Sequence, residues 1–133
     1  MNYIYELTDK VRDYECDLQG IVNNANYQHY FEHARHEFLL TQNVSFSDLH
    51  NRGCDAVVAR VETSYKVPLC STDEYVSKLL VKKEGVKYVF HQAIYRKSDN
   101  KLSVRGKAEI VLVVNGKLTA GSPELDAILI ANE

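Results

Sequence analysis

Cys16-Asp17-Leu18-Gln19-Gly20-Ile21-Val22-Asn23-Asn24-Ala25-Asn26-Tyr27, continuing Gln28-His29-Tyr30-Phe31-Glu32-His33-Ala34-Arg35, puts an acidic side chain and a glycine turn directly before a long amphipathic helix. Helical spacing begins near Ala25: Tyr27, Tyr30, Phe31, Ala34 and Phe38 share one face, while Gln28, Glu32, Arg35 and His36 fall mostly elsewhere. The first turn of such a helix leaves backbone N–H groups unpaired and carries a partial positive charge. A carboxylate held near those donors suits acyl transfer. The donors hold an oxyanion while the carboxylate attacks or activates water.

Outward from this stretch the chain reads as strands. Tyr3 to about Tyr14 is expected to form the first. After the helix, Ser45 or Ser47 is placed to cap a short helical piece around Asp48-Leu49-His50, ended by Gly53. From Cys54 the period switches to two: Val57, Ala59, Val61, Thr63, Tyr65 and Val67 share a face, against Arg60, Glu62, Ser64 and Lys66. Tyr75–Lys83 and Val86–Arg96 follow, joined by a tight turn at Glu84-Gly85, and Ser98-Asp99-Asn100 makes another turn. Val104, Gly106, Ala108, Ile110, Leu112 and Val114 then alternate with Arg105, Lys107 and Glu109. A last short helix starts at Ser122, with Pro123 in its first turn and Leu125, Ile128 and Leu129 inward. Strand, helix, then four antiparallel strands make an α+β layout, one long helix against one curled sheet of about five strands.

Composition sets wide bounds. At 133 residues, with 45% hydrophobic and 26% charged, the chain reads as one globular domain, residues 1–133. A net charge of −2 argues against a general nucleic-acid surface. No apolar run approaches the roughly 20 residues that span a bilayer, and Met1-Asn2-Tyr3-Ile4-Tyr5-Glu6 lacks a signal-peptide layout. Cys16, Cys54 and Cys70 are odd in number and lack metal-ligand spacing, which fits reduced thiols in a cytoplasm.

The pattern Asp17-x-x-Gly20-x-Val22-x-Asn24-x-x-Tyr27, followed by Tyr30-Phe31-Glu32-x-Ala34-Arg35, resembles the signature of the hotdog-fold acyl-CoA thioesterases, the group that includes 4-hydroxybenzoyl-CoA thioesterase. Tyr65-x-x-Pro68 with Asp73 is similar to that family's connection between its second and third strands, and Gly106-x-Ala108 ahead of Val111–Lys117 to its last strand. The resemblance implies a hotdog fold and hydrolysis of an acyl-CoA, or an acyl carrier protein thioester, to free acid and thiol. It implies Asp17 as nucleophile or general base, with the Asn24 N–H, joined by Ala25, as oxyanion donor. Gly20, Val22, Ala25 and Tyr27 would then line the substrate's path. Two positions depart from the pattern of some relatives, which carry His or Phe where Asn24 stands and His where Ile21 stands. A backbone donor survives both changes. No cofactor is implied.

Each residue also has a plainer reading. Asp17 can simply bond its own turn, Gly20 serve that turn, and the asparagines cap the helix. Glu32 is a second candidate acid, against a surface pair with Arg35 or His36. His29, His33 and Glu37 have helical spacing for a metal but lack a third ligand and the His-Glu-x-x-His order. Cys16 points away from Asp17 on extended chain and reads as core. Lys82, Lys83, Lys97, Lys101, Arg105 and Lys107 suit the phosphates of coenzyme A, yet equally suit solvated strand edges.

One helix cannot cover a whole sheet face, and family members pair sheets, so the expected species is a homodimer or homotetramer with active sites at subunit junctions. Two other functions stay open: a non-catalytic acyl-ligand binding module, and a hotdog hydratase or dehydratase. The last needs a histidine paired with an acid, and none stands in the Asp17 loop.

Overall fold

The computed structural model describes residues 1–132. Its elements run β1 (Tyr5–Lys10), a 3₁₀ turn (Asp13–Glu15), α1 (Asn24–Thr41), α2 (Phe46–Asn51), β2 (Cys54–Tyr65), β3 (Glu74–Glu84), β4 (Lys87–Arg96), β5 (Lys101–Val114), β6 (Lys117–Leu118) and α3 (Pro123–Ala131). The five longer strands pair in the order β1-β3-β4-β5-β2, all antiparallel, and β6 adds two residues beside β5. The added strand comes from Asn115-Gly116: both take positive φ (51° and 76°), the backbone that closes a two-residue hairpin.

The 18-residue α1 lies across the sheet on the face its sequence announces. Its C-terminal half packs Ala34, Phe38 and Leu39 with Leu49 of α2, Leu125 and Ile128 of α3, and Leu79, Phe90, Ile110 and Leu112 from the strands. Its N-terminal half packs Tyr27, Tyr30 and Phe31 with Val11, Val22, Leu69, Tyr75, Ile94 and Val104. Burying each such side chain stabilises the fold by about 1.5–3 kcal/mol. Helix and sheet meet closely because Gly106 has no side chain: a Cβ there would stand 2.6 Å from the Phe31 ring.

Three expectations are corrected. The first strand stops at Lys10, where its pairing with β3 ends at Glu74; the Arg12 N–H then bonds the Glu15 carboxylate, which starts the 3₁₀ turn. β2 keeps a period of two only in part: it is an edge strand with an extra residue between Val58 and Arg60, so Val57, Val58, Val61 and Tyr65 are all 44–46% exposed. Arg35 lies under the helix, 6% exposed, and donates to the Gln92 side-chain carbonyl at 2.9 Å, while the Gln92 amide donates to the Phe31 carbonyl. Burial lowers the guanidinium pKa, with Glu32 opposing.

Candidate active site

Where β1 ends, the chain leaves the sheet and clamps the start of α1. Glu15 is the hub. Its carboxylate accepts from the Tyr30 hydroxyl at 2.8 Å and from the Arg12 N–H at 2.8 Å. Its backbone carbonyl accepts from the Asn23 N–H at 3.0 Å and the Asn26 amide at 2.7 Å. Burial first, then the carboxylate as acceptor, pushes the Tyr30 phenol above its ordinary range, so it stays a donor at any physiological pH.

Cys16 then bridges to Val22, and Asp17–Ile21 form the closed turn between them. The Asp17 N–H donates to the Ile21 carbonyl at 2.9 Å and the Gly20 N–H to the Asp17 carbonyl at 3.0 Å. Gly20 takes φ +79°, where a side chain would strain the backbone. The Asp17 carboxylate accepts from the Gln19 N–H at 2.8 Å, bonding its own turn, and the residue is exposed. The loop is tied to the segment after β2 by the Val22 N–H on the Leu69 carbonyl at 2.8 Å. The Leu69 N–H in turn donates to the Tyr27 hydroxyl at 3.1 Å.

At the helix start, the Asn23 side chain accepts from the Ala25 N–H at 3.0 Å, the expected cap. The Ala25 donor is therefore engaged. The Asn24 N–H finds no acceptor among the described residues, which leaves it free at the positive end of an 18-residue helix.

Beside this donor runs a groove of about 240 Å³, lined by Ile21, Val22, Asn24, Tyr27, Tyr65, Lys66, Val67, Pro68 and Ser103. Val22, Asn24 and Tyr27 are all among the lining residues. Asp17, Gly20 and Ala25 are not among the lining residues; the first two sit on the exposed turn that leads into Val22.

The remaining candidates are dispersed. Cys16 is half-buried against the Tyr27–Val22 cluster, and its thiol is pushed up by burial first and by Cys70 and the neighbouring carboxylates after it, the reverse of an activated nucleophile. Glu32 approaches His36 at 3.9 Å and Glu37 approaches His33 at 4.0 Å, all on the outer face of α1. Among the described residues no three His, Cys, Asp or Glu side chains gather as a metal site. Sequence reasoning missed Glu15 and Ser103. Glu15 left a faint signal, standing three residues after Arg12 as a capping acid does; Ser103 left none.

The comparison with protein families is decisive for ancestry: the model described as the thioesterase-like superfamily matches residues 11–129, which takes in the loop, the helix and the whole of β2–β5. The chain belongs to that superfamily. The class of enzyme this implies is a hydrolase acting on thioesters, and the sheet and helix are the hotdog fold that the resemblance implied. A putative esterase from Aquifex aeolicus is 29% identical over 130 residues, 97% of this chain and 98% of the relative. The chloroplastic acyl-acyl carrier protein thioesterase ATL3 of Arabidopsis thaliana is 37% identical over 78 residues, 59% of this chain. That match spans only 41% of ATL3's length. Among solved structures, a hypothetical protein of Aquifex aeolicus superposes with a TM-score of 0.88 at 27% identity, covering 94% of this chain and 98% of its own. The fold is also that of a 1,4-dihydroxy-2-naphthoyl-CoA thioesterase from Synechocystis, with a TM-score of 0.90 at 12% identity over 95% of each chain. No helix among the described residues is long and apolar enough to cross a membrane.

Proposed function

We propose that this chain hydrolyses acyl thioesters carried by coenzyme A or by acyl carrier protein. The observation that carries the reading is the free Asn24 N–H at the start of α1, on a residue that lines the groove together with Val22 and Tyr27. The thioester carbonyl oxygen takes that N–H, and the helix end stabilises the negative charge developing there. Asp17, one turn earlier, is the reacting carboxylate, as nucleophile or as general base on water. Its turn bond to Gln19 uses one oxygen and leaves the other for chemistry. No histidine is needed: the departing thiolate, with a conjugate-acid pKa of about 8.5, leaves without strong protonation. The names of the thioesterase relatives support the same class.

Asp17 stands exposed in a single chain, as does the edge strand β2 with Val57, Val58, Val61 and Tyr65. Both features support a homodimer or homotetramer in which a second copy covers the Asp17 turn and completes the site. Thiol release from a panel of acyl-CoA and acyl carrier protein thioesters, with light scattering at micromolar protein, tests the two parts. Turnover by a dimer or larger species is expected. Binding without thiol release brings a non-catalytic binding module forward, and a strict monomer removes the interfacial site.

A further inference from the structure

Ser103, one of the residues that line the groove, carries an enclosed hydroxyl that no described residue bonds. Ser103 is 2% exposed, and its Oγ has no hydrogen-bond partner among the described residues. Leaving a buried hydroxyl unpaired costs about 1–3 kcal/mol. The backbone explains how it got there. Along β4 and β5, Ile94 pairs with Val104 but Tyr95 pairs with Leu102, so Ser103 is the extra residue of a β-bulge. Such bulges re-aim a side chain out of the regular alternation and recur beside active sites. Ser103 and Val104 are both buried, and Ser103 is among the residues that line the groove with Tyr27 and Asn24.

Six of the groove's eight other residues are apolar or aromatic (Ile21, Val22, Tyr27, Tyr65, Val67 and Pro68), against Asn24 and Lys66. The Tyr27 hydroxyl is already committed to the Leu69 N–H. Tyr65, on the edge strand and 45% exposed, pairs with Val104 next to Ser103, and its ring meets the Tyr27 ring at 5.8 Å. A single unpaired hydroxyl in a largely apolar groove rewards a ligand oxygen placed opposite it and does nothing for a hydrocarbon. We propose that Ser103 is a specificity-determining residue that hydrogen-bonds an oxygen substituent, hydroxyl or oxo, on the acyl group. The inference rests on the thioesterase reading and names the kind of acyl group that reading leaves open.

The test compares matched thioesters: butanoyl-CoA with its 3-hydroxy and 3-oxo analogues, and benzoyl-CoA with its 2-, 3- and 4-hydroxy analogues. Which series responds tells an aliphatic from an aromatic source of the oxygen. Wild type, Ser103→Ala and Ser77→Ala are assayed for kcat/KM and melting temperature. Ser77 is the other buried, unpaired hydroxyl among the described residues, but it is not among the groove residues. For Ser103→Ala, the preferred oxygenated substrate is expected to lose tenfold or more while its unsubstituted partner changes less than twofold. Its melting temperature is expected to hold or rise, because no protein bond is lost. Ser77→Ala is expected to leave the ratio unchanged. Equal losses across a pair, or a wild-type ratio that survives Ser103→Ala, overturn the proposal while leaving hydrolysis standing. If wild type hydrolyses nothing, the thioesterase reading fails instead. Calorimetric affinities for phenacyl-CoA and its ring-hydroxylated analogues then decide Ser103 alone: a hydroxyl preference lost in Ser103→Ala supports it, and no difference refutes it.

Discussion

Replacing Gly106 with alanine tests whether helix α1 sits where the packing places it. A Cβ at this position would lie 2.6 Å from Phe31 Cε2 and 3.1 Å from both Cδ2 and Cζ. Contacts that short force something to move. Phe31 is 2% exposed, locked between Tyr27, Tyr30 and the strands, so it cannot simply swing outward. Overpacking of this kind costs about 1–3 kcal/mol. Alanine returns about 0.4–1 kcal/mol by restricting the unfolded chain, since Gly106 needs no positive φ. The net expectation is a loss of about 1–2 kcal/mol. For a chain of 133 residues, an unfolding entropy of about 2.1 cal/mol/K per residue converts this to a melting temperature about 4–7 °C lower. Urea denaturation read by fluorescence and circular dichroism measures it. Phe31→Leu shortens the clashing ring, so the double variant should be more stable than the sum of the singles allows, with a coupling of about 1 kcal/mol. A Gly106→Ala protein as stable as wild type, or strictly additive losses, would refute the close approach of helix and sheet.

Tyr30→Phe removes the donor to the Glu15 carboxylate at 2.8 Å; the expected loss is about 1.5–3 kcal/mol by urea denaturation, with slower thiol release because the Asp17 turn loses part of its anchor. Acid stability should track Asp99, whose carboxyl is held down from 3.8 to about 2 chiefly by its hydrogen bonds from Arg96. A depressed carboxyl stabilises the fold above its unfolded value and loses that contribution as pH falls from near 3.8 toward 2, so Arg96→Gln should flatten the fall of urea midpoints across that window. An unchanged slope would dissociate Asp99 from acid unfolding.

The helix, its face and its cap were legible because each rests on local chemistry. Tyr27, Tyr30, Phe31, Ala34 and Phe38 repeat at helical spacing, and all five are buried. Asn23 and Ser45 both cap, accepting from the Ala25 and Asp48 N–H groups. The hairpin strands were equally plain, since alternation and turn residues are short-range signals. What escaped was set by partners distant in sequence. Arg35 looks like a surface residue until Gln92, 57 positions away, supplies its acceptor. The apolar alternation of Val57, Val61 and Tyr65 announces a strand but not that it is an edge strand on which these three stay 44–45% exposed. Ser103 sits in an ordinary strand pattern, and only the register between β4 and β5 reveals that it is the extra residue. Part of the site was legible in the same way: Val22, Asn24 and Tyr27 meet because one helix start carries them, whereas Ser103 and Pro68 arrive from other elements.

The most direct measurement is thiol release by wild type and by Asp17→Asn, monitored with a thiol reagent on the best acyl thioester of the panel. Asparagine keeps the shape of the side chain and its carbonyl acceptor for the Gln19 N–H, while removing the charge. The expected result is a loss of about a hundredfold or more in kcat/KM, equivalent to at least about 2.7 kcal/mol of transition-state stabilisation, with an unchanged melting temperature. An Asp17→Asn protein that releases thiol as fast as wild type would make Asp17 a turn residue and place the reacting group elsewhere.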